Sequence, residues 1–398
     1  MCYYIQAFIK IEKLCVLRRI FNFMVKKLTT WLVLLTLAIG TVSMLSGCGS
    51  SAATVDINTG ISDEEVSVYD IEGEGVAGSV EVKDVTQDAY NNLTGEYTLA
   101  SDMVGKRPIA VSINNINLSW PEYGTSLPDI LFEMETEGGI PRYMGLFSDL
   151  RGIQQIGSFR SLRDQFIELV YPYDALICHI GTSVFADEVL AKIGLRTLDG
   201  YYYSDLFFTD PARVSAGYAI EHTKFVSAQS IYAAIEKYGY SLNADYSSKA
   251  FNFVEPGETV VPTSGEANHI TFNFSASYDG DLRYDAESGK YLKWEKGTQQ
   301  VDASNSQPLA FTNAVLVIAD IEMRGNTGLI EVDFSTGGTA YYFSQGHYTL
   351  CNWTKGTGDY ASNFTFTDAA TGEEIKVNTG NTYFAVIRKT LADTVAIS

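Results

Sequence analysis

The spacing of apolar residues changes partway along this chain, and that change limits the fold more than any other feature. Up to about residue 240, short alternating runs are interleaved with segments in which apolar residues recur every three or four positions. From about residue 250 only short β-branched and aromatic runs remain, separated by Gly, Asn and Asp. The first pattern predicts strands alternating with helices, a layered α/β domain over 105–245. The second predicts an antiparallel β-rich C-terminal domain over 250–398, barrel-like or a sandwich. No repeat of fixed period points to a propeller.

In the first half, Arg107 to Asn114 reads as a strand opened by Pro108. Ile130 to Glu135 is a second strand, with Ile130, Phe132 and Met134 on one face and Leu131, Glu133, Glu135 and Glu137 on the other. Gly138-Gly139 makes the turn, and Arg142 to Phe147 returns as its partner. Phe159, Leu162, Phe166, Leu169 and Val170 share one helical stripe ending before Pro172, so the spacing predicts a helix starting near Ser158. Asp174 to Ile180 is a strand containing His179. Gly181-Thr182-Ser183 leads from it into a helix closed by Gly194. A further helix starts at the N-cap Ser227 and runs to Gly239. In the second half, Asp285 to Gly289 between two runs reads as a hairpin loop.

The N-terminal segment speaks about location. Lys26 and Lys27 are followed by an apolar run from Trp31 to Ile39 and then by Leu45-Ser46-Gly47-Cys48, so 24–47 reads as a signal peptide. The final tetrapeptide is similar to the bacterial lipobox, which predicts an acylated Cys48 and a lipid anchor in the cell membrane on its extracytoplasmic face. Gly40, Thr41 and Ser43 interrupt the apolar stretch and argue against a permanent transmembrane helix. Residues 1–23 precede a complete signal and read as a start assigned too early, with Met24 the expected start. Residues 48–104 carry scattered apolar residues and many acids, Lys83 being the only basic residue from Asp56 to Glu96, and read as a flexible tether. Past Cys48 the chain holds only Cys178 and Cys351, which form neither a disulfide framework nor a metal-binding pair.

The formal net charge is −20, and the leader supplies six of the basic residues against Glu12 alone, so the rest is more acidic still. Such a surface repels nucleic acid and anionic headgroups, so no nucleic-acid partner is expected and any anion site is a local pocket.

Arg160 and Arg163 are the leading candidates for that pocket. At a helix start they would form an anion receptor with the free N–H groups of Ser158 to Ser161. The bland reading is an internal clamp on Glu133, Glu135, Glu137 or Asp164. Arg163 lies closer to the apolar stripe and suits the clamp; Arg160 lies at its edge and suits a ligand. Arg142, on the returning strand, joins the same candidate set.

His179 ends its strand, where α/β sheets place ligand crevices, although a histidine satisfied by backbone is the plainer reading. Thr182 and Ser183 follow it and need a base to act as nucleophiles. Glu221-His222-Thr223 offers a second acid–base candidate. No Gly-x-Ser-x-Gly, Ser-x-x-Lys, His-Glu-x-x-His or Walker A pattern occurs, which favours binding over catalysis. His269 and His347 stand alone in β-segments, so neither metal nor cofactor is expected. Ser335 to Thr339 reads as a hairpin turn, and Tyr201-Tyr202-Tyr203 as edge or core packing rather than a sugar platform.

Several of these stretches together resemble the YerB-like family of bacterial lipoproteins. They are Arg107-Pro108-Ile109-Ala110-Val111, Glu137-Gly138-Gly139-Ile140-Pro141-Arg142, Gly157-Ser158-Phe159-Arg160-Ser161-Leu162-Arg163 and His179-Ile180-Gly181-Thr182-Ser183. In the second half Tyr284-Asp285, Tyr291-Leu292, Val301-Asp302, Asn313-Ala314-Val315 and the run from Gly346 through Trp353 to Lys355 agree. The family pattern has Pro in place of Ser158 and Thr-Arg in place of Pro141-Arg142. The resemblance implies a lipoprotein with an N-terminal domain of unknown function and a smaller β-rich C-terminal domain, and it implies no activity.

The expected function is therefore that of a binding or scaffold lipoprotein of the cell envelope, held to the membrane through Cys48, with a local pocket for an anionic or glycan-type ligand. The alternative is a cell-envelope hydrolase or transferase using His179 or His222 with Glu133, Glu135 or Glu137. A purely structural lipoprotein is the third reading.

Overall fold

One strand from the first half of the chain and one from the second lie side by side at the middle of a twelve-stranded sheet. The computed structural model describes residues 88–356 and 360–398; the signal peptide, Cys48 and most of the expected tether lie outside the described residues. The first half supplies β1 (Ile109–Ile113), β2 (Ile130–Glu135), β3 (Pro141–Phe147), β4 (Leu176–His179) and β5 (Leu198–Asp199). Its helices are α1 (Asp164–Val170), α2 (Val184–Ile193), α3 (Pro211–Ser215) and α4 (Ala228–Lys237). The second half supplies β6 (His269–Asn273), β7 (Asp279–Asp285), β8 (Lys290–Glu295), β9 (Asn313–Met323), β10 (Ile330–Asp333), β11 (Gly338–Ser344), β12 (His347–Thr354), β13 (Thr365–Asp368) and β14 (Thr382–Arg388).

The central sheet runs β12-β11-β9-β14-β2-β3-β1-β4-β5, with Gly265–Glu266 added beyond β12. The junction between halves is β14 against β2, paired parallel with Thr382 opposite Ile130 and Val386 opposite Met134. β14 also runs parallel to β9, so the second half is not wholly antiparallel. The long excursion through β10 to β13 gives the chain room to return in the same direction. β6, β7 and β8 form a separate antiparallel sheet.

Each face of the central sheet buries an apolar layer. Ile130, Phe132 and Met134 pack with Phe166, Ile167 and Val170 of α1. Leu131 and Tyr143 on the opposite face pack with Ile231 and Ile235 of α4 and with Ile270, Leu282 and Tyr291 of the second sheet. Burying one such side chain is worth roughly 1.5–3 kcal/mol. The alternation of Ile130 to Glu135 thus feeds two cores, and strand predominates over few, short helices, with a β-rich C-terminal half.

Local signals explain the helix ends. The Ser183 side chain accepts from the Ala186 amide at the start of α2, and Gly194 closes that helix at φ +67°. Ser227 and Ser230 form a reciprocal capping box at α4.

Two expectations are corrected. Residues 88–104, read as the end of the tether, are packed: Leu93 is buried, and Asn91 donates to Asp129 at 2.8 Å and to Ser148 at 3.0 Å. No helix starts near Ser158; α1 begins at Asp164, with Arg163 as its extended N-cap. The amides that a helix would need are taken laterally. Phe159 donates to the Lys224 carbonyl, Arg160 to Ser112 and Leu162 to Gly181. Phe159 and Leu162 are buried as the stripe requires, but on an extended segment.

Candidate functional site

The extended segment 158–163 threads between the end of β1, the turn after β4 and the strand Lys224–Val226. It carries both candidate arginines, and its neighbours treat them differently. Arg163 is clamped. Its Nε donates to Glu137 Oε2 at 2.9 Å, its Nη2 donates to Glu137 Oε1, and its Nη1 donates to the Leu162 carbonyl at 3.0 Å. This two-pronged pairing matches a planar guanidinium to a carboxylate. Arg142 of β3 joins from below, donating to the Ser161 carbonyl at 2.8 Å and lying 3.6 Å from Glu137. Burial alone would raise Glu137, but Arg163 and Arg142 override it and hold the carboxyl down at about 2. Arg142 is itself pulled down to about 9, by burial and then by the fields of Arg163 and Arg160, which Glu137 only partly offsets.

Arg160 has no such partner. Among the described residues its side chain makes no hydrogen bond or ion pair, and its Nε is buried with nothing to donate to. The rest of the side chain is half-buried. Close by, His222 is buried on the turn Ile220–His222, and its Nδ1 accepts from Asn114 Nδ2 at 2.9 Å. Burial lowers His222, and the Arg160 and Arg213 cations add to the effect against Glu221, so the ring is held neutral. Asn114 also donates to Ser158 Oγ at 3.2 Å, and Ser158 donates from both its amide and its hydroxyl to Glu122. Glu122 is buried, pushed up to about 7 by that burial although Arg213 lies 3.5 Å away.

The other candidates are placed elsewhere. The buried His179 is consumed by structure: Nδ1 meets the Gly181 carbonyl at 2.9 Å and Nε2 meets Thr197 Oγ1 at 2.8 Å. Thr182 donates to Asp187 at 2.6 Å, and Ser183 caps α2. Tyr201 and Tyr202 are exposed rather than packed, and only Tyr203 stacks, on Tyr238 at 4.0 Å. Glu135 pairs with Arg388 of β14 at 2.9 Å. Asp164 pairs with Arg324 at 2.7 Å.

Glu133 belongs to a second polar group that the sequence did not reveal. Its Oε2 lies 3.1 Å from Lys293 Nζ and accepts from Tyr383 at 2.5 Å, and its Oε1 accepts from Asn115 at 2.6 Å. Lys293 also contacts Glu295 at 3.0 Å, and all three charged side chains are fully buried. Burial raises both carboxyls, Glu295 to about 8, against the pull of Lys293. Burial alone would lower Lys293, but Glu133 and Glu295 hold it above its ordinary value. In the sequence, alternation along β8 makes Leu292 and Trp294 look like the core face and Lys293 a solvated one. In fact Tyr291, Lys293 and Glu295 are the buried ones.

Two family models cover most of the folded chain: the N-terminal domain of a protein of unknown function (DUF3048) over residues 93–241, and the C-terminal domain of the same family over 269–384. The chain belongs to the DUF3048 family. A DUF3048-type relative is the candidate lipoprotein YerB of Bacillus subtilis, 23% identical over 283 residues, which make up 69% of this chain and 82% of YerB. The crystal structure of YerB matches the fold with a TM-score of 0.66 at 22% identity, covering 77% of this chain and 99% of that one. The DUF3048 boundaries fall on either side of the β14–β2 junction, so both family domains contribute to one sheet. No helix among the described residues is long and apolar enough to cross a membrane.

Proposed function

We propose that this lipoprotein of unknown function is an extracytoplasmic binding protein, anchored through Cys48, whose arginine cluster holds an anionic ligand of the cell envelope at Arg160. One observation carries the reading: Arg160 presents a half-buried guanidinium whose buried Nε has no partner, beside two arginines that share a single carboxylate. A buried donor left unmade costs about 1–3 kcal/mol, and more when charged, so a bound acceptor would be stabilised there. With a formal net charge of −20, the chain favours anions only where cations are concentrated, as they are at this cluster.

The enzyme alternative has less support. Both nitrogens of His179 are engaged, and Glu133 and Glu135 are paired with Lys293 and Arg388 of the C-terminal half. His222 has an amide partner, Asn114, in place of a carboxylate.

The test is thermal stabilisation of the purified full-length protein by a panel of small anions. Wild type should gain melting temperature with at least one of them, and Arg160→Ala should lose that gain while melting no lower than wild type without ligand. Equal stabilisation of the variant would remove Arg160 from ligand binding.

A further inference from the structure

We propose that the group held at Arg160 is a phosphoryl group, a tetrahedral dianion, in preference to a single carboxylate; this rests on the anion-binding reading above. Charge balance at the cluster points there. Arg142 and Arg163 share one carboxylate, Glu137, and Arg160 lies near enough to Arg142 for its charge to act on it. Of the other acids nearby, Glu122 sits beside Arg213, Asp164 pairs with Arg324, Glu135 with Arg388 and Glu133 with Lys293, while Glu221, next to His222, is exposed and screened by solvent. His222 is neutral and adds no charge. The cluster therefore carries two positive charges beyond its own carboxylate. In a part-buried setting a monoanion would leave one of them uncompensated, and charge uncompensated away from water is expensive.

The donor geometry agrees. Among the described residues no acceptor meets the Arg160 fork, and its Nε is buried. Arg142 spends Nη1 on the Ser161 carbonyl, and its Nη2 approaches Glu137 only at 3.6 Å. A phosphoryl group offers several acceptor oxygens pointing in different directions and can be shared between two such forks, whereas the two oxygens of a carboxylate lie in one plane and face a single fork head-on, as those of Glu137 face Arg163. Glu137, whose side chain is 37% exposed, borders the cluster and competes for the same cations.

The experiment titrates the full-length protein at pH 7.5 with inorganic phosphate, with acetate, and with vesicles containing phosphatidic acid, read by calorimetry and by vesicle flotation. Phosphate, or the vesicles if the phosphoryl source is a lipid headgroup, should bind at least about tenfold more tightly than acetate, and Arg160→Ala should weaken that binding about tenfold or more. Glu137→Gln should tighten it severalfold by removing the competing carboxylate. Acetate binding as tightly as phosphate, or a weakening in Glu137→Gln, overturns the phosphoryl assignment and leaves the anion site standing. Failure of all three probes to bind overturns both.

Discussion

Lys293, on the C-terminal half, places its ammonium 3.1 Å from Glu133 Oε2 on the N-terminal half, with neither side chain touching solvent. Asn115 bridges the same space, donating to Glu133 at 2.6 Å and to Glu295 at 3.0 Å. The two family domains are thus joined by a buried charge cluster as well as by the parallel β14–β2 pairing. Buried pairs of this kind are weak evidence for net stability, but removing one member is severe. Lys293→Ala should destabilise the protein by about 3–5 kcal/mol in urea melts, because two buried carboxyls lose the cation they share. Replacing the set together, as Glu133→Gln, Lys293→Met and Glu295→Gln, should recover most of that loss. A triple variant no better than Lys293→Ala would show that shape, not charge, holds the seam.

Glu295 gives the seam a pH dependence. Its carboxyl is raised from 4.5 to about 8 in the folded protein, by burial and against the pull of Lys293. The folded state therefore holds this proton more tightly than the unfolded chain. The associated stability is fully present below about pH 4.5 and drains away as pH rises toward 8. Melting temperature should fall from pH 6 to pH 8.5, and Glu295→Gln, which cannot lose a proton, should flatten that fall. Parallel curves for the two proteins would place the titration elsewhere.

Much of the local structure was legible. The turn at Gly138-Gly139, the Ser183 and Ser227 caps and the 285–289 hairpin follow from residue types whose reasons lie within a few positions. Pairing between β2 and β14, some 250 residues apart along the chain, leaves no local trace. The segment 158–163 shows the deeper limit. Its apolar spacing fits a helix, yet four separate elements claim its amides, and no sequence window contains them all. Arg163 meets Glu137, one of the carboxylates the sequence offered for a clamp, but the helical stripe used to separate it from Arg160 does not exist at that point. Lys293 was unreadable because a buried lysine on an alternating strand looks like a solvated face until its carboxylate partner is known.

Arg160 and Arg163 should separate cleanly in stability. Arg163→Ala removes a two-pronged bond to Glu137 and leaves Arg142 as its remaining cation. Since Glu137 is partly exposed, solvent screening limits the loss to about 1–2 kcal/mol. Arg160→Ala removes no intramolecular partner and relieves a buried unpaired donor, so it should be at least as stable as wild type, by up to about 1–3 kcal/mol. Denaturant melts of both variants at one pH decide the point. A large loss in Arg160→Ala would mean that its guanidinium braces the fold.

Asp302 ties the β-rich half to the candidate site through backbone. Its Oδ1 accepts from the Gly124 amide at 2.9 Å, and its Oδ2 accepts from the Ser126 amide at 2.9 Å and the Ser126 hydroxyl at 2.8 Å. That loop also carries Glu122, which takes both hydrogen bonds from Ser158, two residues before Arg160. Asp302→Ala leaves the buried Gly124 amide and the half-buried Ser126 amide without their acceptor, a loss of about 1–3 kcal/mol. Its second effect is local. With the loop released, Glu122 loses its fixed position, and the amides from Ser158 to Arg160 should exchange with solvent faster than those of β9 in the central sheet. Hydrogen exchange resolved by mass spectrometry reads both regions in one measurement. Uniform acceleration across the molecule would mean that Asp302 supports only global stability and does not brace the arginine segment.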